Sequence, residues 1–326
     1  MALPKVWLNL EPHPAVFEVL EGKGEIIGPL VRPDPANPLS EIEEAEAVLA
    51  STDFPANRFT FEKATNLKVV ARYGIGLDSV DIDAATDLGI CVVHTPDAPT
   101  ISAAELTIGL MLAVSRKIVL LDRTIRNGGW QSKELFGLEL NGKVIGLVGC
   151  GRIGSRVAKI LRAFEARVIV YDPYIASEKI KDLGAESVSS MEELLKTSDV
   201  VSLHLPLTTE TKGLLGREEF TVMKSNAILI NAARGPIVME EELFQALDQG
   251  EIAGAGIDVW HQEPTSKENP LFTLDNVVAT PHAGAMTWEG KGRSNPGAAE
   301  QALQVLRGER PPFLANPEVW EKRRGV

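Results

Sequence analysis

Short apolar runs alternate with helical periodicities along almost the whole chain. Up to about residue 98, the runs at 5–9, 25–27, 47–50, 68–72 and 90–93 have the length and residue types of strands, with helical patterns at 15–20 and 81–88 between them. Alternation of this kind predicts a parallel sheet with helices on both faces. The proline-rich stretch 28–38 reads as a surface loop. From 100 to 127 the pattern becomes one long helix, SAAELTIGLMLAVSRKIVLLDRTIRN, apolar on more than one face. Such a helix needs cover from several sides, and a homodimer built partly on it is expected. Strand-like runs then recur at 143–148, 167–171, 199–204, 227–231, 254–259 and 276–280. The fold class expected is therefore α/β, with two doubly wound domains.

The segment 143–172 is the most informative. An apolar run leads into Gly149-Cys150-Gly151-Arg152-Ile153-Gly154, helical spacing follows through Val157, Ile160, Leu161 and Phe164, and a second apolar run ends in Asp172. In a dinucleotide-binding βαβ unit the first glycine permits a tight turn, the second lets a pyrophosphate approach the backbone, and the third allows close helix packing. The helix start offers N–H groups and a positive dipole end to the phosphates. Asp172 is placed to accept hydrogen bonds from the adenosine ribose and would repel a 2′-phosphate. NAD rather than NADP is the cofactor expected.

Composition narrows the partners. The chain has 326 residues, 44% of them apolar and 24% charged, enough for two domains with full cores. Its formal net charge of -12 argues against a nucleic-acid or anionic membrane partner, and an anionic substrate needs a local basic site to offset that field. Cys91 and Cys150 lie in apolar runs and form neither a CxxC nor a metal pattern, so both read as buried thiols in a reducing compartment. MALPKVWLNLEPHP carries no secretory apolar core, and no run approaches a membrane span, so a cytoplasmic protein is expected.

Several stretches are decoys or decoration. Residues 137–143 read GxxxxGK, but Val144 follows and opens a strand where a P-loop needs Ser or Thr and then a helix. There is no GxSxG elbow and no HExxH. Glu240, Glu241 and Glu242 read as first-turn acids that suit a helix dipole. His13, His94, His204 and His261 read as structural or surface residues.

The strands after Asp172 are each followed by unusual polar chemistry: His204-Leu205-Pro206, then Asn231-Ala232-Ala233-Arg234-Gly235, then the segment from Asp258 to Pro264, then Thr280-Pro281-His282-Ala283-Gly284. In a doubly wound parallel sheet all of these leave the carboxyl edge, where the glycine turn places the dinucleotide. Arg234, Glu263 and His282 are thus expected to converge there. Imidazole titrates near pH 6.5 and a carboxylate neighbour raises that value, so His282 paired with Glu263 suits proton transfer to a carbonyl oxygen. Arg234 offers a planar fork for a substrate carboxylate. Hydride transfer at a carbon bearing oxygen is the chemistry expected of the trio.

Together, the glycine turn with Asp172, NAARGPIV around Arg234, GIDVWHQEP around Glu263 and TPHAG at His282 resemble the D-2-hydroxyacid dehydrogenase family, over about 67–285. Within that family, VVARYGIGLDSVDIDAATDLGICVVHTP and SAAELTIGLMLAVSR are most similar to D-3-phosphoglycerate dehydrogenases. The resemblance implies a Rossmann NAD-binding domain at 99–286 and a discontinuous, flavodoxin-like substrate domain at 1–98 and 287–326, with a cleft between them. It implies catalytic roles for Arg234, Glu263 and His282. It implies cofactor contacts from Gly149, Gly151, Arg152, Ile153 and Gly154, from Asp172 at the ribose, from Leu205 and Pro206 near the adenosine, and from Ala232, Ala233, Asp258, His282 and Gly284 near the nicotinamide. It implies substrate contacts from Arg234 and from Arg72, Tyr73, Gly74, Ile75 and Gly76, with the 74–76 backbone on the carboxylate and Arg72 a candidate for a far phosphate. No metal is implied.

Three departures bear on the substrate. Ser51 and Thr52 stand where phosphoglycerate enzymes tend to have a basic residue, Met286-Thr287-Trp288 brings bulk after His282, and GKGRSNPG at 290–297 carries helix breakers where the family continues a helix. No room follows Val326 for a regulatory domain, so serine feedback through one is not expected. The best expectation is NAD-dependent conversion of 3-phosphoglycerate to 3-phosphohydroxypyruvate. Reductases of glyoxylate, hydroxypyruvate or D-lactate type come next, and an NAD(H)-sensing binding protein is the alternative of another class.

Overall fold

The computed structural model describes residues 2–325, and the chain divides into two compact units, Met1–Pro99 with Ala285–Val326, and Thr100–Gly284. The first begins with β1 (Lys5–Trp7), α1 (Ala15–Leu20), β2 (Glu25–Ile27), β3 (Ala47–Ala50), α2 (Arg58–Lys63), β4 (Val69–Arg72), α3 (Ile82–Asp87) and β5 (Cys91–His94). Its sheet is parallel throughout, in the flavodoxin-like order β2-β1-β3-β4-β5. β3 and β4 are buried on both faces, which is why β3 and the first three residues of β4 read as apolar runs. Val6, Leu49 and Val93 pack on one face with Val16 and Leu20 of α1, and Trp7, Val48 and Val70 pack on the other with Phe61 and Ala84 of α2 and α3. α2 left no periodic signature because it has six residues and one of its two phenylalanines, Phe59, points to solvent.

The second unit opens with α4 (Thr100–Ser115) and α5 (Ile118–Arg126), separated by Lys117 in a left-handed conformation (φ 54°). The single helix expected over 100–127 is therefore two. The Ser115 carbonyl, which would continue the helix, accepts the Leu138 N–H at 2.6 Å from the returning chain. α4 finds its cover within the unit, against the next helix, α6 (Arg152–Leu161), and the sheet. α5 stays open, with Ile118, Val119, Leu121 and Ile125 exposed. There follow β6 (Val144–Val148), β7 (Arg167–Tyr171), α7 (Ser177–Asp182), β8 (Glu186–Ser187), α8 (Met191–Thr197), β9 (Val200–Leu203), α9 (Arg217–Val222), β10 (Ile228–Asn231), α10 (Glu240–Asp248), β11 (Gly254–Ile257) and β12 (Val277–Ala279). All seven strands are parallel, in the order β12-β11-β10-β9-β6-β7-β8, the Rossmann arrangement. The direction in which successive strands are added reverses between β6 and β9, the position at which such a sheet forms a crevice at the carboxyl ends of its strands.

Past Gly284 the chain returns to the first unit, where α11 (Trp288–Leu306) runs without a break through the glycines and Pro296. The interruption expected at 290–297 does not occur. Thr287 caps the helix by accepting from Gly290 N at 2.9 Å, and a face of small residues (Gly290, Ser294, Ala298, Ala299, Ala302) is buried against the sheet and α1. At Gly292 an added Cβ would stand 3.3 Å from the His13 ring. Burial of that close-packed face offsets the bond that Pro296 forfeits. Near the C terminus Asn316, fully buried, accepts from Val92 N at 2.9 Å and donates to Ile90 O at 2.9 Å and Thr86 Oγ1 at 3.0 Å, stitching the tail to the edge of β5.

Candidate active site

The glycine turn sits at the carboxyl end of β6. Gly149 has φ 92°, and an added Cβ there would lie 2.6 Å from the His204 carbonyl; at Gly154 it would lie 2.5 Å from the Gly149 carbonyl. At Gly151 nothing stands within 4 Å, so the space a side chain would fill is open beside the first turn of α6, whose N terminus no side chain caps. That is the shape a pyrophosphate needs, and the residues present fit a dinucleotide. Asp172 closes the turn: its Oδ2 accepts from Cys150 N at 2.8 Å and its Oδ1 from Tyr174 N at 2.9 Å. Gly151, Arg152 and Pro206 are exposed, and Ile153 and Leu205 half-buried. His204 stands at the back of the turn, its Nε2 3.0 Å from Ser202 Oγ, and burial pushes its pKa down to about 4.

Three loops from β10, β11 and β12 meet beside this turn. Asn231, buried at the end of β10, accepts from Ala233 N at 3.1 Å and donates to Arg234 O at 3.0 Å, which folds the Arg234 loop back on itself; Arg234 Nη1 donates to Ala233 O at 2.6 Å. At Gly235 an added Cβ would lie 2.0 Å from the Trp260 carbonyl, so this glycine lets the Arg234 loop touch the Glu263 loop. Glu263 Oε1 accepts from Trp260 N at 3.0 Å and its Oε2 lies 2.6 Å from His282 Nδ1. Burial tends to raise the Glu263 pKa, but the bonds from His282 and Trp260 N and the Arg234 charge outweigh it and hold the carboxyl below its usual range. An ionised carboxylate only accepts, so Nδ1 carries the proton and Nε2 is the ring nitrogen available for chemistry.

His282 adopts a positive φ of 54°, unusual for a residue other than glycine. Asp258 holds it there. Fully buried, Asp258 accepts from Thr280 Oγ1 at 2.6 Å, Ala283 N at 2.7 Å and Gly284 N at 2.9 Å, and its carbonyl accepts His282 N at 2.7 Å. The Asp258 carboxylate thus has no exposed surface and is engaged by three donors of the His282 loop.

The first unit carries the remaining expected residues at the carboxyl end of β4. Arg72 is buried, with Nη1 donating to Ala50 O at 3.2 Å and Tyr73 O at 3.3 Å. Tyr73 packs into the core, and burial raises its pKa well above the ordinary value. Gly74 N donates to Thr95 Oγ1 at 2.8 Å, and His94 Nδ1 lies 3.1 Å from Ile75 O, which leaves the N–H groups of Ile75 and Gly76 without an acceptor among the described residues of this unit. Ser51 Oγ lies 3.4 Å from Asn9.

Residues 108–284 match the family described as D-isomer specific 2-hydroxyacid dehydrogenase, NAD binding domain. The chain belongs to that family. It is 44% identical to D-3-phosphoglycerate dehydrogenase of Methanocaldococcus jannaschii, over 88% of this chain and 55% of the relative. It is 40% identical to glyoxylate reductase of Thermofilum pendens, over 99% and 97%. The crystal structure of D-lactate dehydrogenase from Aquifex aeolicus, complexed with NAD and lactic acid, superposes with a TM-score of 0.84 at 28% identity, covering 96% of this chain and 99% of that one. The chain spans about half the length of the first phosphoglycerate dehydrogenases it matches.

As a member of this family the chain has NAD as its cofactor, consistent with the open turn at Gly151 and the carboxylate at Asp172. Motif reading found Arg234, Glu263 and His282 but missed the side chains that place them: Asn231, Thr280 and the buried carboxylate of Asp258 as an anchor. A polar residue directly after an apolar strand was the available signal for the first two. Among the described residues no group of His, Cys, Asp and Glu is arranged to hold a metal ion, and no helix is long and apolar enough to cross a membrane.

Proposed function

We propose that this chain catalyses NAD-dependent oxidation or reduction at the 2-position of a small D-2-hydroxy acid. The observation that carries the reading is the 2.6 Å pair between Glu263 and His282, set beside Arg234 at the carboxyl edge of a sheet whose glycine turn fits a dinucleotide. When bound, NAD supplies the hydride chemistry. In the reducing direction His282 Nε2 gives a proton to the substrate's C2 oxygen while Glu263 keeps the imidazolium oriented; in the oxidising direction Nε2 takes that proton. Arg234 pairs with the substrate carboxylate and polarises the adjacent carbonyl. In the first unit, the backbone N–H groups of Ile75 and Gly76 are assigned to substrate binding. Ala232, Ala233, Leu205, Pro206 and Gly284 are assigned to the cofactor wall, and Asp258 to the nicotinamide side, where it also holds the His282 loop.

Among substrates, unphosphorylated acids of glyoxylate or hydroxypyruvate type come first. A far phosphate needs a basic partner, yet Arg72 is engaged with carbonyls and Ser51 with Asn9. Phosphoglycerate is the second reading, favoured by the 44% identity to the Methanocaldococcus jannaschii enzyme. The exposed apolar side chains of α5, with Trp130 and Phe136 beyond it, support a homodimer. Two unpaired buried cysteines suit a reducing compartment, the cytoplasm.

The test is NADH consumption with a panel of glyoxylate, hydroxypyruvate, pyruvate and 3-phosphohydroxypyruvate, for wild type and His282→Ala. Turnover abolished in the variant is expected. Tight NADH binding without turnover of any acid would overturn the enzyme reading in favour of a sensor. A monomeric mass in sedimentation over a wide concentration range would overturn the dimer.

A further inference from the structure

The loop from His261 to Asn269 carries Glu263; bonds within it tie Ser266 to Glu268 and Asn269, and its two ends are held from outside. Glu240, the first residue of α10, reaches across to it. One carboxylate oxygen of Glu240 accepts the His261 N–H, and the other accepts from Asn269 Nδ2 at 3.2 Å. Asn269 in turn donates to Thr265 Oγ1 at 3.2 Å and accepts from Leu271 N at 3.0 Å, so the far end of the loop is fixed through the same carboxylate. Two consecutive amides are thus taken by two acids: Trp260 N by Glu263 and His261 N by Glu240. Decoration of a helix start, the ordinary use of an acidic run there, accounts for Glu241, which is exposed, and not for Glu240, which is half-buried and bonded to both ends of a neighbouring loop.

The geometry points to Glu240 as a positioning residue for the acid–base pair: by clamping both ends of the loop it fixes the Glu263 carboxylate where it meets His282. This rests on the acid–base reading of Glu263 and His282 given above. The groups facing Glu263 are His282, the Arg234 charge and the Trp260 amide. A loop freed at His261 and Asn269 lengthens the first and last of these contacts. The charge-assisted bond between a backbone amide and a carboxylate is the element lost, and an alanine at 240 removes it at both ends at once. Glutamine keeps one oxygen for the His261 N–H and so keeps the near end of the clamp.

The experiment compares Glu240→Ala and Glu240→Gln in the full-length chain. In Glu240→Ala, kcat at saturating NADH and keto acid falls by about tenfold or more, the change that loss of one bond to a charged group produces, while NADH affinity stays within about twofold, because the glycine turn lies on other elements. Glu240→Gln recovers most of the rate. The Glu263 carboxyl, followed by carbon NMR and assigned with Glu263→Gln, titrates higher in Glu240→Ala than in wild type and close to wild type in Glu240→Gln. Wild-type kcat with an unmoved titration in Glu240→Ala overturns the proposal. So does a loss of NADH affinity and melting temperature in step with the loss of rate, which marks a general scaffold role. The titration needs no turnover, so a wild-type protein inert on every keto acid sinks the enzymatic reading while the positioning claim is still decided.

Discussion

Asp258→Asn isolates the device that holds His282. The wild-type carboxylate accepts three hydrogen bonds, from Thr280 Oγ1 at 2.6 Å, Ala283 N at 2.7 Å and Gly284 N at 2.9 Å, in a position with no exposed surface. An asparagine amide has one acceptor oxygen, so at best two of those bonds survive, both reduced from charged to neutral, and the NH₂ group faces a third donor. Weakening two bonds by roughly 1 kcal/mol each and leaving a buried N–H unpaired at about 1–3 kcal/mol gives a total of about 3 kcal/mol or more. The loop can shed that cost by releasing His282 from its positive φ, itself roughly 1 kcal/mol or more above the ordinary basins. If release is complete, kcat/KM for the keto acid falls by about 100-fold, at about 1.4 kcal/mol per tenfold. If the loop holds, the cost appears instead as a melting temperature lower by about 10 °C. Steady-state NADH consumption and thermal denaturation of the same preparation measure both. An Asp258→Asn protein with kcat/KM within threefold of wild type and an unchanged melting temperature refutes the reasoning.

Gly151→Ala and Gly154→Ala separate a ligand-facing glycine from a packing one: the first folds with wild-type stability and weakens NADH binding at least about tenfold, whereas the second, with its Cβ 2.5 Å from the Gly149 carbonyl, loses stability, by about 1–3 kcal/mol. Equal behaviour in calorimetry and NADH titration would contradict this. His204 has its folded pKa lowered to about 4 by burial, so the unfolded chain, titrating near 6.5, takes up the proton first. Stability from this residue is full above about pH 6.5 and is lost as pH falls towards 4, by at most about 3 kcal/mol; urea midpoints of His204→Gln should therefore fall less between pH 7 and 4.5 than those of wild type, and an identical fall refutes the assignment. Cys91 and Cys150 are both buried, and burial pushes the Cys91 thiol up to about 11, so neither reacts with a thiol reagent at pH 8 until the chain unfolds. Fast labelling of the native protein would show that one of them is open to solvent.

Much of the fold was written locally. A strand buried on both faces is mostly apolar, so β3, β4, β6, β9 and β10 stood out as runs, with Arg72, Ser202 and Asn231 as their polar residues. The glycine turn needs glycine where backbone meets backbone, which makes Gly149 and Gly154 legible in the sequence. β8 was not visible, because Glu186 and Ser187 are both exposed and pair at a sheet edge with no apolar pattern. The break at Lys117 and the unbroken α11 were misread for a common reason: each depends on a partner distant in sequence, Leu138 N taking the Ser115 carbonyl in one case and the small-residue face packed on the sheet in the other.

By itself the sequence determined the parallel α/β class and the dinucleotide turn, and it singled out Arg234, Glu263 and His282, because strand periodicity, glycine geometry and side-chain chemistry are properties of single residues and their near neighbours. Only the tertiary structure decided that Asp258 serves the His282 loop, that Arg72 is bound to carbonyls and that Glu240 reaches across to His261 and Asn269. A buried polar group takes whichever partner the packed chain brings within hydrogen-bond distance, and that distance is set by folding.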